Sequence, residues 1–382
     1  MGYHILVLAG GSGTRLWPLS RAGVPKHLMP LDASGVTLLR ATVERVLPLA
    51  DSVRVVTTAT QAETCGRVVS EAGLPAGSVI AEPEPRGTGP ALGLANALIA
   101  HDDPDAVISS VHADHEIDDG DAFRAAVLAA AGWAVATQGL ATVGVTPTHP
   151  STGLGYVAFE GPPLDPEGWH PPPGAPVPEA RRAAAAAVPA FRAAGFVEKP
   201  SREIAQAYLD GGHHLWNSGL FAWPAAIFAE ELAIADAHLA EQVAGVAEAR
   251  RRGREAEAAS LYAEIEAVPV DTLVFERTRR LTVVRGGFSW SDLGSFADLR
   301  DARRRAGGAD GAGNVLEGDV IALDTTGSFV AARGGRLVAV VGVDGLAVVD
   351  TGDALLVLPL DQSQRVKEVV ERLRAEGRSD LL

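Results

Sequence analysis

Residues 4–9 (His-Ile-Leu-Val-Leu-Ala) form a short apolar run that stops at glycines. A run of this length without alternation predicts a buried parallel strand feeding a loop. Apolar positions at helical spacing follow at 37–50, then a second strand-like run at Val53–Thr57. The alternation continues with helix 61–72, strand 78–81, helix 90–100, strand 106–111, helix 121–138 and strand 140–145. Strands alternating with helices predict an α/β fold, a doubly wound, mostly parallel sheet of Rossmann-like type covered on both faces. Its crossovers should be right-handed.

Prolines crowd residues 161–178 and predict an exposed loop or insertion of polyproline character, followed by a short surface helix at Arg181–Ala187. A strand at 191–197, a helix at 201–210 and a charged, largely helical stretch at 224–267 come next. Beyond residue 305 the texture changes to short Val-rich runs (318–323, 328–332, 336–341, 346–349, 354–358) separated by Gly and Asp. Short strands at such spacing fit coils of a β-helix or a small sandwich. A helix at 361–375 closes the chain. The expected division is therefore a large α/β domain over 1–305 and a small β-rich domain over 306–382.

The chain has 33 Lys+Arg against 48 Asp+Glu, a net charge of −15. That sign argues against broad electrostatic binding to nucleic acid or anionic membranes, so an anionic ligand needs a local site. No apolar stretch reaches the roughly 18 residues of a membrane helix. A single cysteine, Cys65, excludes a disulfide framework and fits a reducing cytosol, so a cytoplasmic location is expected.

The strongest local signal is Leu8-Ala9-Gly10-Gly11-Ser12-Gly13-Thr14-Arg15-Leu16-Trp17-Pro18, with Pro25-Lys26 shortly after. Glycines after a first strand let several backbone N–H groups face one anion. No Lys-Ser/Thr follows the last glycine, which excludes a Walker A loop. Leu16 stands where a dinucleotide fingerprint needs its third glycine. Arg15 and Lys26 add two cations, and the set suits a triphosphate. Asp114 follows the strand at 106–111, at the carboxyl edge where open α/β sheets bind ligands. Asp292 lies in a turn-like Trp-Ser-Asp-Leu-Gly. Two carboxylates from distant segments suit a hard Mg²⁺ among phosphates. Cys65 and the His213-His214 pair read as structural and solvated residues.

These residues resemble the signature of nucleotidyltransferases that make nucleotide sugars. The form with Ser12, Trp17 and Ser20-Arg21 resembles the mannose-1-phosphate guanylyltransferases. Further matching blocks run in order: Glu82-Pro83 with Arg86-Gly87-Thr88, Ala113-Asp114-His115, Thr152–Tyr156, Phe196–Pro200, Trp216–Phe221 and Trp290–Ser295. The resemblance spans roughly residues 4–300. It implies Mg²⁺-dependent transfer of GMP from GTP to mannose 1-phosphate, with Arg15, Lys26, Asp114 and Asp292 in the catalytic centre. It implies that the backbone of Gly10, Gly11, Ser12, Gly13 and Thr14, together with Arg15 and Lys26, holds the triphosphate. Asp114 and Asp292 are implied as the metal ligands. Glu82 and Thr88 are implied for the base, and Gly155, Glu198, Lys199 and Asn217 for the sugar phosphate. A homodimer built through the β-rich tail is implied as well.

The chain also departs from the family pattern. Arg86-Gly87-Thr88-Gly89 replaces the usual Arg-Asn-Thr-Ala, and Pro25-Lys26-His27-Leu28 the usual Pro-Lys-Gln-Phe. Gly87 lacks an amide that could read the base. The residues therefore leave open another nucleoside triphosphate or another sugar 1-phosphate, such as a heptose. A non-catalytic nucleotide-sugar sensor is a further reading, which retention of all four catalytic residues opposes. Longer relatives carry a cupin-type isomerase domain, and this chain is too short for one, so isomerase activity is not expected.

Overall fold

The computed structural model describes residues 2–11, 13–31, 35–75, 77–166 and 179–382. The expectations for Ser12 and for prolines within 167–178 lie outside the described residues. By Cα packing the chain forms two compact units. The first is Met1–Gly10, Val43–His112 and Ile117–Trp290, and the second is Gly11–Thr42, Ala113–Glu116 and Ser291–Leu382.

The elements up to residue 145 are β1 (Tyr3–Leu8), α1 (Leu38–Val46), β2 (Ser52–Thr58), α2 (Ala62–Glu71), β3 (Val79–Glu82), α3 (Thr88–Asp102), β4 (Val107–His112), β5 (Glu116–Ile117), α4 (Gly120–Ala136) and β6 (Leu140–Val145). Then come β7 (Tyr156–Glu160), α5 (Glu179–Ala187), β8 (Ala190–Val197), α6 (Arg202–Gly211), β9 (His214–Pro224), α7 (Ala225–Ala235), α8 (Ala237–Arg251), α9 (Glu255–Ala263), β10 (Leu281–Gly286), β11 (Trp290–Ser291) and α10 (Phe296–Arg305).

A nine-stranded sheet organises the first unit, in the order β3-β2-β1-β4-β9-β6-β10-β8-β7. β8 and β9 run against the rest, so the sheet is mostly parallel, as the alternation predicts. Ile5, Leu6 and Val7 of β1 are fully buried, because parallel neighbours pair on both sides. The helix α3 is apolar almost all round and is buried between the sheet and α7 and α8. β7, β9 and β10 were not expected from the hydrophobic pattern. Asn217-Ser218-Gly219 interrupts β9, and a register shift opposite Val143/Gly144 absorbs the irregularity.

In the second unit the strands β12 (Val315–Gly318), β14 (Phe329–Ala332) and β16 (Leu346–Asp350) stack in parallel, with β17 (Leu355–Pro359) antiparallel on the edge. A separate parallel pair joins β13 (Val320–Leu323) to β15 (Val338–Val341). Parallel stacking of successive short strands is the pattern of β-helix coils. The terminal helix α11 spans Val366–Ala375. Phe329, Ala331, Ala347 and Val349 face a core that also takes Leu16, Trp17, Met29, Phe296 and Leu299. The loop after β1 thus rests on the same core as the β-helix coils. No helix among the described residues is long and apolar enough to cross a membrane.

Phe329 is wholly buried, with its ring centroid 5.8 Å from that of Phe296. Phe329→Ala should lower the unfolding free energy by about 3–5 kcal/mol in urea titrations. A loss below about 1 kcal/mol, which a site able to collapse would show, contradicts this packing.

Candidate active site

The second unit holds the glycine loop with Lys26, Asp114 and Asp292. Gly13 sits at φ 63°, and a Cβ there would stand 2.7 Å from the Lys26 Cβ. Only glycine allows the loop to pass this close to the lysine. The Ser20 hydroxyl donates to the Gly13 carbonyl at 2.5 Å. Thr14–Leu16 form a 3-10 turn that leaves Arg15 exposed.

Lys26 is buried, and a buried ammonium is tolerable only when its donors are satisfied. Its Nζ lies 2.5 Å from Asp114 Oδ2 and donates to the Asp292 carbonyl. One ammonium therefore joins three segments far apart in sequence. Asp292 Oδ1 accepts the Gly294 N–H at 3.1 Å. Between them Leu293 holds φ 43°, a left-handed conformation costly for leucine, and its side chain is fully buried. Core packing at Leu293 fixes the Asp292 turn. Asp298 receives the Ser295 hydroxyl at 2.6 Å. Burial, reinforced by the Asp292 charge, pushes the Asp298 carboxyl up to about 6. His27 is also buried, and burial pulls its imidazole down to about 4, against the pull of Asp114. It is a neutral packing residue at physiological pH.

The side chains of Asp114 and Asp292 are oxygen donors, the type of ligand a hard divalent cation takes. The Asp114 side chain remains 27% exposed beside a lysine at 8%. Oxygen donors with room for water are what Mg²⁺ takes.

Trp17 and Arg21 have a mechanical part. Trp17 Nε1 donates to the Leu381 carbonyl at 2.7 Å, and Arg21 donates to the same oxygen. Arg21 Nη2 also donates to both oxygens of Asp353, at 3.0 and 3.1 Å. The segment after α11 and the β-helix coils thereby anchor the far end of the glycine loop.

The first unit holds the remaining predicted residues in two groups. Gly10 follows β1 just past Ala9, and a Cβ there would lie 4.0 Å from Glu82 Oε1. Glu82 ends β3, is only 5% exposed and accepts the Tyr262 hydroxyl. Burial pushes its carboxyl up to about 7, against hydrogen bonds from Tyr262 and the Arg86 amide. Thr88 Oγ1 accepts the Val270 N–H at 2.8 Å. In the second group, a side chain at Gly155 would run into the Glu198 carboxylate. The Gly155 carbonyl accepts the Asn217 N–H at 2.8 Å. Lys199 Nζ lies 2.5 Å from Glu198 Oε1, on a backbone at φ 47°. Asn217 Nδ2 donates to Asp271 Oδ1 at 2.8 Å, and its Oδ1 accepts from Gly219 N–H at 3.1 Å.

Sequence reasoning missed Tyr262 and Asp271. Tyr262 lies within a helical stretch whose pattern assigns it only to the core. Asp271 opens a five-residue π-helix, Asp271–Phe275, a form that often marks a functional segment.

The shifted Glu82 carboxyl makes stability depend on pH. Below its ordinary 4.5 both folded and unfolded chains hold the proton. Between 4.5 and about 7 only the folded chain holds it, so stability falls as pH rises through that window. The loss is about 3 kcal/mol. Glu82→Gln should flatten this part of the profile in urea titrations from pH 5 to 8, and an unchanged slope contradicts the assignment.

Residues 4–307 match the family model described as nucleotidyl transferase, and residues 318–373 the one described as MannoseP isomerase/GMP-like beta-helix domain. A mannose-1-phosphate guanylyltransferase of Escherichia coli (strain K12) is 36% identical over 387 residues, covering 98% of this chain and 74% of that protein. The xanthan biosynthesis protein XanB of Xanthomonas campestris pv. campestris (strain B100) is 35% identical over 382 residues, with the same coverage. A crystal structure from Thermus thermophilus, described as a mannose-1-phosphate geranyltransferase, aligns with a TM-score of 0.78 at 32% identity, covering 98% of this chain and 100% of that one. By model match, identity and coverage together, the chain belongs to the nucleotidyl transferase family, among the mannose-1-phosphate guanylyltransferases.

Proposed function

We propose that the chain transfers the guanylyl group of GTP to α-D-mannose 1-phosphate, giving GDP-mannose and diphosphate. The observation that carries this reading is the Lys26 ammonium shared by the Asp114 carboxylate and the Asp292 carbonyl beside the glycine turn. The names of the similar proteins support the choice of base and sugar.

A phosphate oxygen of the sugar phosphate attacks the α-phosphorus in line. The new P–O bond forms as the α–β anhydride bond breaks, and diphosphate leaves with the electron pair. The sugar phosphate is already a competent nucleophile at neutral pH, so positioning and charge neutralisation carry the rate. The backbone of Gly10, Gly11, Ser12, Gly13 and Thr14 cradles the triphosphate, and Arg15 and Lys26 offset its charge. Lys199 steers the sugar phosphate, and Glu198 and Asn217 hold sugar hydroxyls beside Gly155. Glu82 and Thr88 shape the base loop. Asp114 and Asp292 would hold Mg²⁺, which when bound supplies positive charge to the reacting phosphates. A homodimer belongs to the same reading and rests on the family resemblance.

The test is diphosphate release with Mg²⁺ over four nucleoside triphosphates and a panel of sugar 1-phosphates. GTP with mannose 1-phosphate should dominate. Asp292→Ala should cost about a thousandfold or more in turnover, the scale of losing an electrostatic element of the site. A dominant signal elsewhere in the grid overturns the substrate assignment. Silence across it, with folded protein, overturns catalysis.

A further inference from the structure

We propose that residues 262–271 form a strap that sets the shape of the loop 82–89, with Tyr262 as its positioning residue. The proposal rests on the reading of that loop as the nucleotide's base site.

The strap engages the loop along its length. Tyr262 donates to Glu82 at the end of β3. Arg86 reaches back to the Ala263 carbonyl at 2.6 Å. The Val268 N–H donates to the Arg86 carbonyl at 3.0 Å, and the Gly89 N–H to the Val268 carbonyl at 2.9 Å. The Val270 N–H donates to the Thr88 hydroxyl at 2.8 Å. Pro269 favours an extended Val268, which suits this backbone pairing.

The closeness of the two segments dictates the loop's glycines. Gly87 has φ 81° and ψ 174°, a region open essentially to glycine alone. A Cβ at Gly87 would lie 2.7 Å from the Val268 carbonyl oxygen, and one at Gly89 would lie 2.9 Å from the same atom. Both departures from the family pattern therefore meet one strap atom. Glycine at 87 permits direct contact between loop and strap, and the base faces a loop shaped by backbone pairing. The strap ends at Asp271, which holds the Asn217 amide, so one segment braces both groups of site residues in this unit.

Tyr262 is fully buried and its ring fits its place, so Tyr262→Phe removes one hydroxyl at constant packing. The KM for GTP should rise about tenfold, equivalent to one lost charge-assisted hydrogen bond. Turnover at saturation and the KM for mannose 1-phosphate should stay within about twofold. Gly89→Ala, which pushes on Val268, should reproduce the same split. A pH profile supplies a readout that packing alone does not move. The groups facing Glu82 are Tyr262 from α9, Arg250 from α8, and the Arg86 amide of its own loop. The KM for GTP should climb below about pH 7, as Glu82 takes a proton and one of its two oxygens turns from acceptor to donor. Loss of the Tyr262 hydroxyl should move that limb to higher pH.

An unchanged KM for GTP in folded Tyr262→Phe overturns the strap. So does a rise in both KM values together with a proportionate fall in kcat and melting temperature. If the wild type prefers another triphosphate, the base assignment fails and the same split is read on that triphosphate. A wild type that uses none overturns the strap and the base site together.

Discussion

A buried ammonium is the constraint on which the second unit depends. Lys26 cannot stay buried and charged without partners, because desolvation would outweigh everything its short turn contributes. The Asp114 carboxylate and the Asp292 carbonyl supply them. Two features then follow. Gly13 must lack a side chain, because the loop lies against the lysine stem. The turn at 292–294 must hold its geometry, and Leu293 accepts a left-handed backbone in return for full burial. Nearby, Asp298 is pressed toward the neutral form by burial and by the Asp292 charge, against the pull of Lys26. The Lys26 ammonium, the Asp114 carboxylate and the turn at Asp292 are thus fixed to one another by their own contacts.

The β-helix coils share in that arrangement. Leu16 and Trp17 lie in one core with Phe296, Phe329 and Ala347. Arg21 and Trp17 converge on the Leu381 carbonyl, and Arg21 holds Asp353. Trp17 and Arg21 of the signature are therefore explained by docking, and Gly13 before them by its close approach to Lys26. In the first unit backbone contact has the corresponding role. Gly87 and Gly89 admit Val268, and Gly155 admits Glu198.

Much of this was legible in the chain. The apolar runs placed β1, β2, β3, β4 and β6, because strands buried on both faces leave uninterrupted hydrophobic stretches. The glycine turn, Lys26 and the two aspartates stood out in the chain because their residue types suit phosphate and metal chemistry, and the structure brings Lys26 to Asp114 and Asp292. β9 was not, since Asn217-Ser218-Gly219 breaks its pattern at a bulge that only the neighbouring β6 accommodates. Nor was the association of residues 11–42 with the β-helix coils, which depends on contacts across most of the chain length. Tyr262 and Asp271 carry no motif at all. Their parts arise from a segment that pairs with a loop far away in sequence.

Replacing Lys26 by methionine tests the central claim most directly. The variant keeps the stem that packs on Gly13 and removes the charge that joins Asp114 to Asp292. With folding verified by circular dichroism, kcat/KM for the preferred substrate pair should fall by about a hundredfold to a thousandfold, the scale of a lost preorganised donor. A folded Lys26→Met protein within about tenfold of wild type, a difference of only about 1.4 kcal/mol, would contradict the account.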